Sequence, residues 1–137
     1  MRHTKLGRKK DNRTQLVKNL AASLIVYERI TTTSAKAKLV QGYVERIISQ
    51  AKKMDKLNSY KMALQKLGKK KPAQKVIDII ISNFKDTQSG FTRIINIGPR
   101  KGDAAPMVII ELTKKTAIPK TNKVDKKEKA KPAKKKE

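Results

Sequence analysis

Few residues in this chain have the type and spacing that covalent or metal chemistry needs. Cysteine is absent, which removes thiol nucleophiles, disulfides and every cysteine-ligated zinc site. His3 is the single histidine, and no second metal ligand or carboxylate partner lies near it in sequence, so neither a general base nor a metal ligand is expected there. Asp103 follows Gly102 with no neighbouring carboxylate, and an aspartate in such a turn usually hydrogen-bonds its own loop rather than serving as an acid. Gly98-Pro99-Arg100-Lys101-Gly102 lacks the Gly-Lys-Ser/Thr ending and the following helix of a phosphate-cradling loop. No catalytic residue, cofactor or metal is therefore expected, and the chain does not read as an enzyme.

The chemistry that remains is electrostatic. Lys and Arg total 35 against 11 acidic residues, a formal net charge of +24 over 137 residues, and so much self-repulsion in a small chain calls for a polyanionic partner. A membrane is the weaker choice. Aliphatic runs are short, as at Ile79 to Ile81, against the roughly 20 apolar residues of a spanning helix. The first apolar stretch begins only at Leu16 and is broken by Lys18, Asn19 and Ser23, unlike a signal peptide. A cytoplasmic nucleic-acid binder is the reading that fits.

Charge is concentrated at the ends. Residues 1–13 carry Arg2, His3, Lys5, Arg8, Lys9, Lys10 and Arg13 with little to bury, and read as a basic arm able to order along RNA, where His3 would stack or hydrogen-bond. Residues 114–137 hold eleven lysines against three acids, with prolines and alanines, and read as a disordered tail that attracts any polyanion. Arg100 and Lys101 sit where a hairpin tip would project toward phosphates, although solvated loop charge is the plain alternative. Phe84, Phe91, Tyr27, Tyr43 and Tyr60 fall mostly at core-facing positions, which favours phosphate and shape recognition over base stacking. Lysine predominates over arginine, and lysine acts as a point charge rather than a bidentate base reader.

The elements that would position these cations occupy residues 14–113. Leu16, Leu20, Leu24 and Tyr27, with Val17 and Ala21, recur at helical spacing, and Asn12 with Gln15 resembles an N-cap pair. Ile30-Thr31-Thr32-Thr33 is β-branched and reads as a strand, with Thr33 or Ser34 capping the next helix. That helix carries Ala37, Val40, Val44, Ile47, Ala51 and Met54 on one face and Lys36, Lys38, Arg46 and Lys52 on the other. A third helix starts near Asn58, bears Ala63, Leu64 and Leu67 and stops at Gly68; a fourth opens at Pro72 and carries Val76, Ile77, Ile80 and Phe84. Two β-rich runs, Phe91 to Ile97 and Met107 to Thr113, flank a loop from Gly98 to Pro106 and suggest a hairpin. The expected fold is α+β in two layers, order α-β-α-α-α-β-β, with a small three-stranded mixed sheet packed against helices.

Three separated motifs in order resemble the bacterial large-subunit ribosomal protein seventeen family. They are Met1-Arg2-His3-Thr4-Lys5-Leu6-Gly7-Arg8; Ile30-Thr31-Thr32-Thr33-Ser34-Ala35-Lys36-Ala37-Lys38; and Gly90-Phe91-Thr92-Arg93-Ile94 through Gly102-Asp103-Ala104-Ala105-Pro106-Met107. The resemblance covers residues 1–113. It implies a two-layer domain set against large-subunit ribosomal RNA, its arm between RNA segments, near the opening of the nascent-chain tunnel. The family's arm maps onto Arg2, His3, Lys5, Arg8 and Lys9, and its Ala-Lys pairing onto Lys36 and Lys38. The lysine-rich extension after Thr113 looks longer than the family pattern. With Lys10, Arg13, Lys18, Arg93, Arg100 and Lys101, these residues are the expected RNA contacts. The expected partners are ribosomal RNA and neighbouring ribosomal proteins, with one copy per subunit, no membrane and no obligate homo-oligomer. A histone-like DNA-architectural protein is the runner-up, though no paired Pro-tipped arms are evident. An RNA-modifying enzyme would need a motif that the chain lacks.

Overall fold

The computed structural model describes residues 5–114. The sequence-predicted positions Arg2 and His3, and the tail after Lys114, lie outside the described residues. Element order follows the expectation: α1 (Lys10–Tyr27), β1 (Arg29–Thr33), α2 (Ser34–Lys52), α3 (Lys56–Leu67), a fourth helical run and the strands β2 (Thr92–Pro99) and β3 (Pro106–Leu112). The fourth run, α4, begins as an α-helix (Lys70–Lys75), widens through a π-helical turn (Val76–Ile80) and closes with an α-turn (Ile81–Asn83). Periodicity did not foresee the π turn, because Val76, Ile77 and Ile80 keep the same buried face with or without it.

The strands line up β1-β3-β2, and both pairings are antiparallel, so the sheet is not mixed as expected. β3 takes the centre because Val108, Ile110, Glu111 and Leu112 are all buried, whereas β1 and β2 carry the Thr and Arg positions that tolerate an edge. Facing the helices, Ile30, Ile110 and Ile94 stand in one cross-strand row and Thr32 and Val108 in the next. A bulge at Ile97, between the Asn96–Val108 and Gly98–Met107 pairs, re-aims the end of β2. The hairpin loop is thus six residues, Arg100 to Ala105, because the strands extend to Pro99 and Pro106.

Helix α2 is the spine of the core. Ala37, Val40, Val44, Ile47 and Ala51 are buried as the spacing predicts, with Ile48 beside them, while Met54 lies beyond the helix and is exposed. Phe84 and Phe91 pack edge to face at a centroid separation of 5.3 Å, joining the end of α4 to the entry of β2. Tyr43 donates its hydroxyl to the Lys66 carbonyl at 2.7 Å, and burial raises its pKa. Ser59, fully buried, donates to the Ala51 carbonyl at 2.7 Å and satisfies an end of α2 that no helical amide reaches. Gly68 stops α3 with a φ of 69°, the left-handed cap expected of it.

The first helix departs most from its expected face. Its buried residues are Ala21, Ala22, Leu24 and Ile25, while Leu16, Val17 and Leu20 are half-buried and Tyr27 is 72% exposed. The buried stripe is short, confined to Ala21–Ile25, and of the three half-buried positions before it Leu20 packs against the core. No side chain caps it: Lys9 occupies the N-cap position and Asn12 lies inside the helix. Thr33 does hold the N-cap position of α2, in extended backbone, but likewise makes no side-chain cap bond.

Candidate nucleic-acid interface

The arm meets the domain through a tight reversal. Leu6 and Gly7 both adopt left-handed backbone, φ 54° and 61°, and the Arg8 amide donates to the Lys5 carbonyl at 3.1 Å. Arg13 then donates from Nη1 to the Arg8 carbonyl at 3.3 Å. Because α1 starts at Lys10, the sequence-predicted arm residues Lys10 and Arg13 belong to a helix. Lys5, Arg8, Lys9 and Lys10 are exposed, and Arg13 and Lys18 are half-exposed. Rigid backbone thus presents Lys10, Arg13 and Lys18 on one helix, where composition alone placed the first two in a leader.

Helix N-termini carry an unusual charge. In globular proteins the first turn favours acids, which the helix dipole stabilises by about 0.3–1 kcal/mol, and the same dipole disfavours cations there. Here the first turns of α2, α3 and α4 contain no acid, and α1 has only Asp11 among Lys10 and Arg13. Lys36 lies in the first turn of α2 and Lys38 directly after it, the former half-buried and the latter exposed. Cations added to an already positive helix end repel it in isolation, and a phosphate placed there relieves both at once.

At the hairpin tip the expected pair divides. Arg100 makes a forked ion pair with Asp103, Nε to Oδ1 at 3.0 Å and Nη2 to Oδ2 at 2.6 Å, and the Ala105 amide donates to the same carboxylate at 3.3 Å. The Arg100 hydrogen bond, with the Ala105 amide behind it, lowers the Asp103 pKa to about 2. Asp103 is therefore the loop-bonding aspartate that its turn position suggested. Lys101 is exposed and has no ion-pair partner among the described residues, whereas half the guanidinium edge of Arg100 is already occupied. Arg93, on the sheet's outer face, is similarly shared. It donates to Glu111 at 2.5 Å, with Arg29 on the opposite strand 3.7 Å from the other carboxylate oxygen, so one buried acid holds two half-exposed arginines in register.

Two lysines are spent inside the fold, which composition could not reveal. Lys52 donates to the Lys85 and Thr87 carbonyls at 3.0 and 2.6 Å and lies 5.7 Å from the Phe91 ring centroid, tying α2 to the segment after α4. Lys75 donates to Glu28 Oε1 at 2.7 Å and to the Val26 carbonyl at 2.9 Å. Glu28 caps α1 with a φ of 63°, a left-handed backbone that costs a non-glycine residue about 1–2 kcal/mol. Its amide bonds the Leu24 carbonyl at 2.7 Å and its carbonyl accepts from the Leu112 amide at 2.9 Å, so the strained residue is held from three sides. No basic residue of α1 lies in its own last turn; Lys75, arriving from α4, supplies the cation that the negative helix end favours.

Sequence reasoning also missed Tyr27 as a surface group. Helical spacing put it on the buried face, but it is the last residue of α1, where the stripe has rotated out. Among the described residues there is no cluster of histidine and acids that could hold a metal ion, and no helix is long and apolar enough to cross a membrane.

A small α+β domain with cations in the first turns of its helices, more on its loop tip and arm, and with Glu28, Asp78, Asp103 and Glu111 engaged by lysines and arginines has the character of a basic nucleic-acid-binding protein of the structural kind. The comparisons carry this to a family. Residues 16–113 match the family model described as "Ribosomal protein L17". The chain is 43% identical over 112 residues to the large ribosomal subunit protein bL17 of Thermoanaerobacter sp. strain X514, covering 82% of this chain and 99% of that protein. It is 44% identical over 115 residues to the bL17 of Thermomicrobium roseum, covering 81% and 97%. With the bL17 of Pelobacter propionicus it shares 40% identity over 126 residues, covering 89% and 98%. The chain belongs to the ribosomal protein L17 family.

Proposed function

We propose that this protein is a structural constituent of the large ribosomal subunit, working in the cytoplasmic ribosome, where it binds and stabilises folded large-subunit ribosomal RNA and catalyses nothing. The observation that carries the reading is the match of nearly the whole folded domain to a family of ribosomal proteins, in a chain of net charge +24. Cations at converging RNA helices offset phosphate repulsion, and a rigid domain fixes their relative orientation. Neither the fold nor the comparisons support the histone-like alternative.

Within that function the contacts divide by rigidity. Arg2, His3, Lys5, Arg8 and Lys9 form the arm (1–13 with the start of α1) and follow one RNA path. Lys10, Arg13, Lys18, Lys36 and Lys38 meet phosphates from fixed helical positions, and Lys101 does so from the hairpin tip, with Arg93 and Arg100 contributing the guanidinium edges that their acids leave open. Residues 114–137 add nonspecific affinity. Neighbouring large-subunit proteins complete the environment, with one copy of this chain per subunit and no membrane or obligate homo-oligomer. Sedimentation of the tagged protein from cell lysate tests the assignment: co-migration with large subunits through a high-salt wash is expected, and migration with chromosomal DNA refutes it. Deleting residues 2–10 is expected to abolish stable incorporation, whereas deleting 116–137 leaves it intact; equal behaviour of the two truncations refutes the division between the ends.

A further inference from the structure

The end of α1 and the α3–α4 junction enclose an open groove of about 410 Å³, within the roughly 300–1,000 Å³ of clefts that hold small organic groups. The α1 wall carries Ala22, Ser23, Val26 and Tyr27, the last 72% exposed and its hydroxyl without a hydrogen-bond partner among the described residues. The other wall carries Pro72 with Lys69, Lys70 and Lys71, the three lysines exposed and without ion pairs among the described residues, and no acid lines the groove. An exposed aromatic face offers a surface on which a planar group can stack, and three adjacent lysines raise the local positive potential so that an anion between them is favoured.

The walls are also fixed relative to each other. Lys75 reaches from α4 to the Val26 carbonyl, one residue before Tyr27, and to Glu28, one residue after it. This clamp does electrostatic work as well, because the exposed carbonyls ending an α-helix would repel a phosphate and the Lys75 ammonium offsets them. The groove thus joins a stacking ring, an apolar edge and a cationic rim on a preorganised base. Unpaired nucleotides are recognised by this combination: the base lies on an aromatic face and its flanking phosphates meet cations.

Resting on the ribosomal RNA-binding function above, we propose that this groove is a nucleotide subsite in which one unpaired RNA base stacks on Tyr27 while its neighbouring phosphates meet Lys69, Lys70 and Lys71. The protein then recognises more than phosphate and shape; it also reads the presence of an extruded base, without sequence preference. An acidic peptide also suits the lysines, but it leaves the exposed ring without a planar partner.

The test uses the full chain and two RNA probes, a hexauridylate carrying one internal 2-aminopurine and the same oligomer with an abasic residue in its place. Charge is equal in the two, so arm and tail contribute equally to both. The wild type is expected to bind the 2-aminopurine oligomer about tenfold more tightly than the abasic one, with quenching of the base fluorescence, as base–aromatic stacking allows. Tyr27→Ala should abolish both the preference and the quenching; Tyr27→Phe should keep both. Tyr27 is exposed, so the thermal midpoints of all three proteins should coincide. A preference that survives in Tyr27→Ala, or is missing in the wild type, overturns the subsite. So does a tenfold loss of polyglutamate binding in Tyr27→Ala without loss of the base preference, which would mark a peptide groove. Failure of the wild type to bind large-subunit RNA at low salt would instead refute the broader reading.

Discussion

Replacing Lys75 by Met is the most direct test of how the basic residues are divided between fold and partner. Met keeps the apolar stem and removes the ammonium that bonds Glu28 Oε1 at 2.7 Å and the Val26 carbonyl at 2.9 Å. The Lys75 and Glu28 side chains are only 20% and 10% exposed, so water replaces little of what is lost. A hydrogen bond to a charged group contributes roughly 1.5–3 kcal/mol, and breaking a buried pair costs roughly 3–5 kcal/mol. Residual exposure and the other interactions of Glu28 argue for the low end, about 3 kcal/mol. That is a fall in the urea midpoint of about 2 M at an m-value near 1.5 kcal/mol/M, with the m-value itself unchanged. Lys70→Met, five positions earlier and fully at the surface, should cost less than about 0.5 kcal/mol. A double-mutant cycle with Glu28→Gln should return a coupling of about 1–2 kcal/mol. If Lys75→Met unfolds at the same urea concentration as Lys70→Met, the clamp is not a determinant of stability and the account of the α1 terminus is wrong.

Other outcomes follow from the same geometry. Val44→Asp places an unpaired charge at a fully buried position of α2 and should unfold the domain, so a cooperative melt at the wild-type temperature would contradict the core assignment. Lys101→Glu should weaken ribosomal RNA binding and flatten its salt dependence without changing stability, while Arg100→Gln, already engaged by Asp103, should weaken it less; the reverse order would mean that the ion pair opens on binding. Asp103 should titrate near 2 rather than at the ordinary aspartate value of 3.8 in a carboxyl-carbon NMR titration. Because the folded pKa is the lowered one, the loop pairing is complete above 3.8 and is lost as pH falls through about 2; a midpoint near 3.8 would show that the fork is not formed in solution.

Read alone, the chain already dictated its class. An excess of 24 positive charges points to a polyanion binder, and apolar residues at spacings of three and four place α2 from Ala37 to Ala51. Such features are local or summed over the chain, so no partner need be known to read them. Three motifs in order named the family, and Gly68 marked a helix end because glycine alone adopts its backbone cheaply. Strand partners were beyond reach, hence the expected mixed sheet: that β3 pairs antiparallel with both β1 and β2 is a fact about pairing rather than propensity. Tyr27 shows the limit of periodicity, which finds an apolar stripe but not where the stripe leaves the neighbouring helices. The cations show it most sharply. Lys52, Lys75, Arg93 and Lys71 are alike in composition, yet Lys52 is bound to carbonyls 33 and 35 residues away, Lys75 to a carboxylate 47 away and Arg93 to one 18 away, while Lys71 rims an open groove. Charge at a distance in sequence becomes charge in contact only when the chain folds, and so only the tertiary structure decided which positive residues hold the protein together and which stay exposed at its surface.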